Sequence, residues 1–414
     1  MKVMMIGVNA KEQALACALE RTGNHQILVC PGNPGTVDLE QSMEELPETY
    51  HPDDILSSAA QIDPDCIVIL DEYLIRDGWK DKLASRGWNV IAPDARAAAL
   101  IDNKALWGRM MQESAIPVAD FRLFDDKAKA MDFISQVDSP YVFKELDGAK
   151  RFGVPYNADE GAETLDEWFG EGDMSLMISE FVEGERFNLP VFVYKDRVLP
   201  LLPYVVIRGV YENEDDPQSK GMGTLCAPDS QLAKIEAPKA VETILVPFVK
   251  ELTKKGIEYN GILSGEFVAT PNGPVCVNLK AGLSETGACA LSVLMDSDLL
   301  EGWQALVDNE PAELKWADLD AVSLVLAGND YPQNGSYDQP IAVDEDFDGT
   351  LFYNHAKQTE NGLQTDGGRV LIVAAAARTL GEAAEVARED AGHIHCDDLF
   401  FRSDIGRQAD ERVH

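Results

Sequence analysis

Several features that would settle a function class at once are missing. No stretch reaches the roughly 18 consecutive apolar residues that a membrane-spanning helix needs, and the opening MKVMMIGV meets polar residues too early to form the apolar core of a secretory signal. The seven cysteines, Cys17, Cys30, Cys66, Cys226, Cys276, Cys289 and Cys396, are odd in number and scattered, with no Cys-x-x-Cys pair, so reduced thiols are expected rather than a disulfide framework. Positive charge is scarce: 35 Lys and Arg stand against 72 Asp and Glu, a formal net charge of −37. A field of that sign repels polyphosphates and anionic lipid, which argues against nucleic-acid and membrane partners. Gly7 stands without a Gly-x-Gly-x-x-Gly fingerprint, which places a dinucleotide oxidoreductase last among the readings. The expectation is a cytoplasmic protein acting on small molecules, as a monomer or small homo-oligomer.

What is present is the composition of a globular protein. The 414 residues are 45% hydrophobic, with 32 Gly and 21 Pro dispersed, too long a chain for one ordinary compact domain. An apolar run from Lys2 to Val8, a helical pattern from Glu12 to Arg21 and a second run from Gln26 to Cys30 make a βαβ opening. Further runs at Cys66–Leu70 and Asn89–Ala92 extend it to an open parallel sheet. Ligands of such sheets gather at the carboxyl ends of the strands. Three loops lie there: Gly7–Ala10, the run Pro31-Gly32-Asn33-Pro34-Gly35-Thr36, and Asp71-Glu72. The Pro/Gly run can present backbone N–H groups to an anion, although such runs more often merely turn the chain.

A helical pattern from Asp102 to Gln112 ends before Pro117, and a strand at Tyr141–Glu145 leads into a basic loop, Asp147 to Gly153, suited to closing over phosphates. Then come a strand at Leu176–Phe181 and a hairpin of Leu189–Val193 with Val198–Leu201. The acidic, polar stretch Tyr211–Gly223 is expected to be a loop. A helix over Ala240–Gly256 precedes two strands, Ile262–Ala269 and Val275–Leu279, around Pro271-Asn272-Gly273, where Asn-Gly is a strong hairpin signal. A helix over Asp298–Val307 follows, and strands at Ala321–Ala327, Gly349–Tyr353 and Arg369–Ala375 with a helix at Leu380–Ala391 form a last domain beginning near residue 320. His393, His395 and Cys396, in the run HIHC, come nearest to a metal cluster, but the pattern also fits a strand and no complementary ligand set is visible elsewhere.

Lys104, Lys144 and Lys150 with Gly153, followed by Glu266 and Asn278, make a coherent set: lysines to hold phosphate oxygens, a carboxylate and an amide oxygen to hold Mg²⁺ on them. Each residue alone has a bland explanation; their order along the chain changes the odds. In that order, with MKVMMIG, PGNPGT, Asp102-Asn103-Lys104, Ser179 to Glu185, Gly221-Met222-Gly223, Ser284-Glu285-Thr286, Gly367 to Leu371 and Phe400 to Gly406, the sequence resembles from end to end the ATP-grasp ligases, most closely the glycinamide ribonucleotide synthetase family.

The resemblance implies an α/β protein of ATP-grasp fold. An N-terminal Rossmann-like domain would span 1–100, a large ATP-grasp subdomain 101–120 and 184–320, a small subdomain 121–183, and a small α+β domain 321–414. It also implies a ligase that forms an amide from a carboxylate and an amine through an acyl phosphate, similar to the phosphoribosylamine–glycine ligase reaction of purine biosynthesis, using ATP with Mg²⁺ or Mn²⁺. In the roles it suggests, Lys104, Lys144, Gly153 and Glu185 bind ATP, and Glu180, Phe181 and Val182 form the adenine hinge. Glu266 and Asn278 hold the metal, and Lys150, Arg151 and Lys280 supply catalytic charge. Gly32, Asn33, Gly35, Thr36, Glu72, Met222, Gly223, Glu285 and Thr286 would face the substrates.

The sequence departs from the family pattern at functional positions. Gly-Gly-Arg-Glu-His-Ala is here Asn9-Ala10-Lys11-Glu12-Gln13-Ala14, and Gly-Pro-Glu is Leu70-Asp71-Glu72. Arg151-Phe152 replaces a glycine-lysine, and Arg186 takes the place of a glutamate that accepts hydrogen bonds from ribose hydroxyls, which a donor-only guanidinium cannot do. Glu-x-Asn-x-Arg becomes Cys276-Val277-Asn278-Leu279-Lys280, losing a carboxylate and bidentate recognition. Two readings follow: a ligase diverged in substrate, or a protein that binds a nucleotide or phosphosugar without turnover or serves as a scaffold.

Overall fold

A computed structural model describes residues 1–36, 52–136, 140–146, 151–170, 174–212 and 217–407. Lys150 lies outside the described residues. The N-terminal strands β1 (Lys2–Gly7), β2 (Gln26–Pro31), β3 (Cys66–Ile69) and β4 (Val90–Ile91) form a parallel sheet in the order β2-β1-β3-β4. Their near-continuous apolar runs are buried on both faces, as a parallel sheet covered by helices requires. Helices α1 (Ala10–Thr22), α2 (Pro52–Ile62), α3 (Glu72–Arg76) and α4 (Trp79–Ala84) connect them. The helix expected over Asp102–Gln112 is α6 (Lys104–Glu113), and a separate helix, α5 (Ala95–Asp102), precedes it; Asn103 caps α6, its side chain accepting the Leu106 N–H at 3.1 Å.

A small lobe follows. Strands β5 (Phe121–Phe124), β6 (Tyr141–Glu145), β7 (Phe152–Gly153) and β8 (Leu176–Glu180) pair antiparallel in the order β5-β8-β6-β7. Helices α7 (Lys127–Ile134) and α8 (Ala158–Gly170) close over them, around Tyr141, Phe143, Trp168 and Ile178. The larger lobe is built on β9 (Glu185–Tyr194), β10 (Arg197–Pro200), β13 (Asn260–Thr270) and β14 (Gly273–Ala281), in the order β10-β9-β13-β14. Gly273, at φ +110°, makes the expected turn between the last two. Between β10 and β13 run β11 (Val205–Gly209), β12 (Gln218–Cys226) and a helical stretch that includes α9 (Ala237–Ala240) and α10 (Val246–Lys254). The stretch expected to be a loop over Tyr211–Gly223 is a strand from Gln218 onward. Its polar start, Gln218 and Ser219, lines an open cleft rather than a core, which hid it from a hydrophobicity reading.

Helices α11 (Glu285–Leu294) and α12 (Leu299–Asp308) lead to the C-terminal strands β15 (Asp320–Gly328), β16 (Ser336–Pro340), β17 (Ala342–Val343), β18 (Thr350–Tyr353), β19 (Ala356–Thr359), β20 (Gly362–Gly367) and β21 (Arg369–Ala377). The chain ends with α13 (Leu380–Gly392), β22 (Ile394–His395) and β23 (Leu399–Phe400). The main sheet here runs β11-β12-β15-β21-β18, so the hairpin 205–226, expected in the large ATP-grasp subdomain, is hydrogen-bonded across the expected boundary near 320. All seven cysteines are free, and among the described residues no helix is long and apolar enough to cross a membrane.

Candidate active site

A cleft of about 300 Å³ opens between the two lobes, where residues 181–184 link β8 to β9. Lys104, at the first turn of α6, and Lys144, on β6, converge there within hydrogen-bond reach of each other, and Lys144 Nζ lies 3.5 Å from the Val277 carbonyl oxygen. Both retain a thin exposure to the cleft while protein surrounds them otherwise. Burial, then the Lys144 ammonium, push Lys104 well below its ordinary pKa, and burial lowers Lys144. Two ammonium groups crowded at one point are an arrangement that phosphate oxygens relieve.

On the facing sheet Glu266 and Asn278 are register partners across β13 and β14. Glu266 carries two arginines, Arg208 Nη2 at 3.1 Å from Oε2 and Arg186 Nη1 at 3.5 Å from Oε1. Asn278 Oδ1 is buried without a hydrogen-bond partner among the described residues. An orphaned amide oxygen beside a carboxylate is a hard-oxygen pair, and it fits a magnesium ion whose remaining ligands come from phosphates and water. Cys276 does not join it. Its thiol is buried in the core, hydrogen-bonds the Asn278 carbonyl at 3.5 Å and is pushed by burial up to about 12.

The hinge has a defined set of free groups. The Glu180 N–H goes to the Asp120 carbonyl at 2.9 Å, the Asp120 N–H returns to Glu180 Oε1 at 2.9 Å, and the Phe181 N–H goes to the Pro140 carbonyl at 3.3 Å. The Val182 N–H, at the cleft, has no partner among the described residues. Glu185 begins β9, exposed, opposite Ala269.

Arg151 departs from its expected role. Its Nε binds Glu145 Oε2 at 3.0 Å, its Nη2 binds the Trp168 carbonyl at 3.2 Å, and the guanidinium stacks 5.1 Å from the Trp168 ring centroid. That charge serves the small lobe, and the Arg151 hydrogen bonds hold the Glu145 carboxyl below its usual range. Gly153 pairs with Phe143 in the same sheet.

A second group of charges gathers where the N-terminal sheet, the large lobe and the C-terminal sheet meet. Glu285 opens α11 behind the cap Ser284 and takes Lys11 Nζ at 3.6 Å and Arg369 Nη2 at 3.2 Å. Lys280 pairs with Glu72. Burial alone would raise Glu285, but Lys11 and Arg369 hold it far below its ordinary value; Glu72 is lowered in the same way against burial by Lys280. Glu12 stands apart. Its Oε2 accepts the Asn9 N–H at 3.1 Å, its Oε1 is buried without a partner among the described residues, and burial pushes its carboxyl up to about 8.

The Pro31–Thr36 loop sits beside this group but does not offer its N–H groups. Gly32 donates to Gly7 O at 3.0 Å, Asn33 to Thr36 Oγ1 at 2.9 Å, Gly35 to Asn33 Oδ1 at 2.9 Å and Thr36 to Asn33 O at 2.9 Å. The prolines have none to give, so the loop's donors are satisfied internally. The Met222 side chain is fully buried in the core, and Thr286 is buried with its hydroxyl 2.8 Å from that of Thr224, so neither side chain faces a substrate. A Cβ at Gly223 would stand 2.5 Å from the Ser323 carbonyl oxygen, so this glycine serves the packing of β12 on β15.

Lys11, Glu12, Arg208 and Arg369 take part in these clusters without having been assigned a role from the sequence. Arg208 had a signal, as the one charge in the apolar run VVIRG. Arg369 lay inside a motif quoted only for resemblance. Lys11 stands where the family motif has arginine, and Glu12 coincides with the motif's glutamate inside an otherwise altered run.

Known proteins match the chain along most of its length. The chain matches phosphoribosylglycinamide synthetase in three consecutive pieces: the N domain over residues 1–100, the ATP-grasp (A) domain over 102–286 and the C domain over 321–408. A phosphoribosylamine–glycine ligase of Halalkalibacterium halodurans is 28% identical, covering 99% of this chain and 97% of that protein. One of Caulobacter vibrioides is 29% identical, covering 98% of each. Among solved structures, the phosphoribosylamine–glycine ligase of Thermotoga maritima superposes with a TM-score of 0.82 at 22% identity, over 98% of this chain and 100% of that one. A biotin carboxylase–ATP complex from Campylobacter jejuni reaches 0.65 at 12% identity, over 98% and 94%. With its N, A and C domains matched in order, the chain belongs to the phosphoribosylglycinamide synthetase family of ATP-grasp ligases.

Proposed function

We propose that this chain joins the carboxylate of glycine to the amine of phosphoribosylamine at the expense of ATP, through an acyl phosphate. The observation that carries the ATP half is the convergence of Lys104 and Lys144 opposite Glu266 and the orphaned Asn278 Oδ1. The full-length likeness to ligases of that name supports the choice of substrates.

Each part of the site has a task in such a reaction. Lys104 and Lys144 take phosphate oxygens and neutralise charge, and the Val182 N–H holds the adenine edge. Glu266 and Asn278 hold the metal ion, which when bound supplies Lewis-acid stabilisation of the phosphates. Asn278 and Lys280 share one face of β14, about 7 Å apart at strand spacing, so Lys280 stands one step from the metal pair toward the N-terminal sheet. There it meets the carboxylate whose oxygen attacks phosphorus. Glu72 and Glu285 offer acceptors to an ammonium group, and the buried Lys11 and Arg369 fix the Glu285 carboxylate in place. When the amine attacks the acyl carbon, phosphate leaves and the nitrogen proton passes to a carboxylate or water. A cytoplasmic location accords with this reading.

One observation favours a second reading, a different amine and carboxylate. The Pro31–Thr36 loop keeps its N–H groups for itself, and Lys11 and Gln13 stand where the family pattern has arginine and histidine. The test is ADP release by the purified chain with ATP, Mg²⁺, glycine and phosphoribosylamine generated in situ. The expected result is ADP that depends on both substrates. ADP only with another pair from a panel establishes the second reading, and nucleotide binding without ADP from any pair overturns both.

A further inference from the structure

The run HIHC lies outside the ligase site, and the fold supplies ligands that its sequence neighbourhood lacks. Strand β22 pairs antiparallel with β17, Val343 opposite Ile394 and Ala342 opposite His395, and the Asp344 N–H donates to the His393 carbonyl at 3.0 Å. Ile394 is buried and Cys396 packs against the core, so strand alternation leaves the two imidazoles on the outer side. There His393 Nδ1 lies 3.1 Å from Asp344 Oδ2 and 3.7 Å from Asp346 Oδ1, and His395 Nε2 lies 2.9 Å from Asp344 Oδ1.

At 3.1 and 2.9 Å the two His–Asp344 contacts are hydrogen bonds, and the same closeness would let His393, Asp344 and Asp346 share one ion. Zinc holds nitrogen and oxygen ligands at about 2.0–2.2 Å in a tetrahedron, whose edges are then about 3.3 Å. The two distances from His393 bracket that edge, and the nitrogen and both carboxylate oxygens all fall within 4.8 Å of one another. Among the described residues neither aspartate pairs with a lysine or arginine, although Glu345 and Asp348 add further negative charge in the same loop. We propose that Asp344, Asp346 and His393 bind one zinc ion, with water in the fourth position and His395 donating to the second oxygen of Asp344 to orient it. An imidazole in the set selects a borderline metal over magnesium, which separates this site from the all-oxygen pair Glu266 and Asn278. The ion fastens the β17–β18 connection to the end of α13, and ligase turnover does not need it.

The test is equilibrium dialysis of the metal-stripped full chain against Zn²⁺ with Mg²⁺ in large excess, with Co²⁺ absorption as a second readout and circular dichroism to verify folding. One tight zinc per chain is expected, lost by at least about 100-fold in His393→Ala and Asp344→Asn and weakened about 10- to 100-fold in His395→Ala. Tetrahedral cobalt bands should appear in the unaltered chain and vanish in His393→Ala. Zinc binding unchanged in His393→Ala, or no zinc bound against excess magnesium, overturns the proposal. So does loss of the site in Cys396→Ser with a thiolate-to-cobalt band, which would give the ion a different ligand set.

Discussion

Lys104 and Lys144 repel each other in a confined place, so their value to ligand binding is bought with stability. Lys144→Met therefore weakens ATP binding by about 100-fold, the scale of a lost buried charge partner, while the melting temperature without nucleotide stays level or rises. Isothermal titration and a thermal melt on the same sample check both halves. Glu12 makes a prediction of opposite logic. The folded chain keeps its proton up to about pH 8, whereas the unfolded chain releases it near the ordinary glutamate value of 4.5. Between those values the folded state binds more protons, so this carboxyl makes stability fall as pH rises. Glu12→Gln keeps an acceptor for the Asn9 N–H and removes that slope, so its melting temperature gains on the parent steadily from about pH 5 to about pH 8. Both lysines could be singled out in the sequence as cations, but their crowding could not, since it arises from β6 meeting the start of α6.

At the scale of elements, the link between the lobes depends on Gly184. Its φ is +144°, and a Cβ there would stand 2.1 Å from the Ala269 carbonyl oxygen and 2.8 Å from Val268 Cγ1. Gly184→Ala should cost roughly 2 kcal/mol in urea denaturation, from backbone strain and the clash together. It should also raise KM for ATP, because the Val182 N–H sits two residues away. Most strands were legible because their residues face a core: Tyr141–Glu145 and the pair around Asn272-Gly273 follow directly from apolar pattern and turn chemistry. The strand Gln218–Cys226 was missed because it has polar residues where it borders the cleft, whereas the helix expected over Asp102–Gln112 is present as Lys104–Glu113 with Asn103 as its cap. The loop Pro31–Thr36 could be placed at the strand ends by sequence, but the destination of its N–H groups depends on the Asn33 and Thr36 side chains.

For the whole molecule, the distribution of charge among the three matched domains was the least legible part, because Lys11 is hundreds of residues from Glu285 and Arg369, which are themselves 84 residues apart, and the three meet only on folding. Gln13 adds a neutral tie across the same seam: its Nε2 donates to the Leu351 carbonyl at 3.0 Å and its Oε1 accepts the Tyr353 N–H at 2.8 Å. Glu285 is shared by a cation from the N domain and a cation from the C domain, with Lys11 and Arg369 side chains only 3% and 7% exposed. The two ways of breaking this triad are therefore unequal. Arg369→Met leaves Lys11 and Glu285 as a pair and costs about 1–3 kcal/mol, the price of one charged hydrogen-bond partner. Glu285→Gln leaves two buried cations sharing a neutral amide in place of their common anion, a loss of about 3–5 kcal/mol. Urea melts followed by tryptophan fluorescence and far-ultraviolet circular dichroism should show one coincident transition for the unaltered chain and for Arg369→Met. For Glu285→Gln the two signals should separate, as the outer domains part from the ATP-grasp core before it unfolds. Equal destabilisation by the two variants would mean that the triad does not hold the domains together.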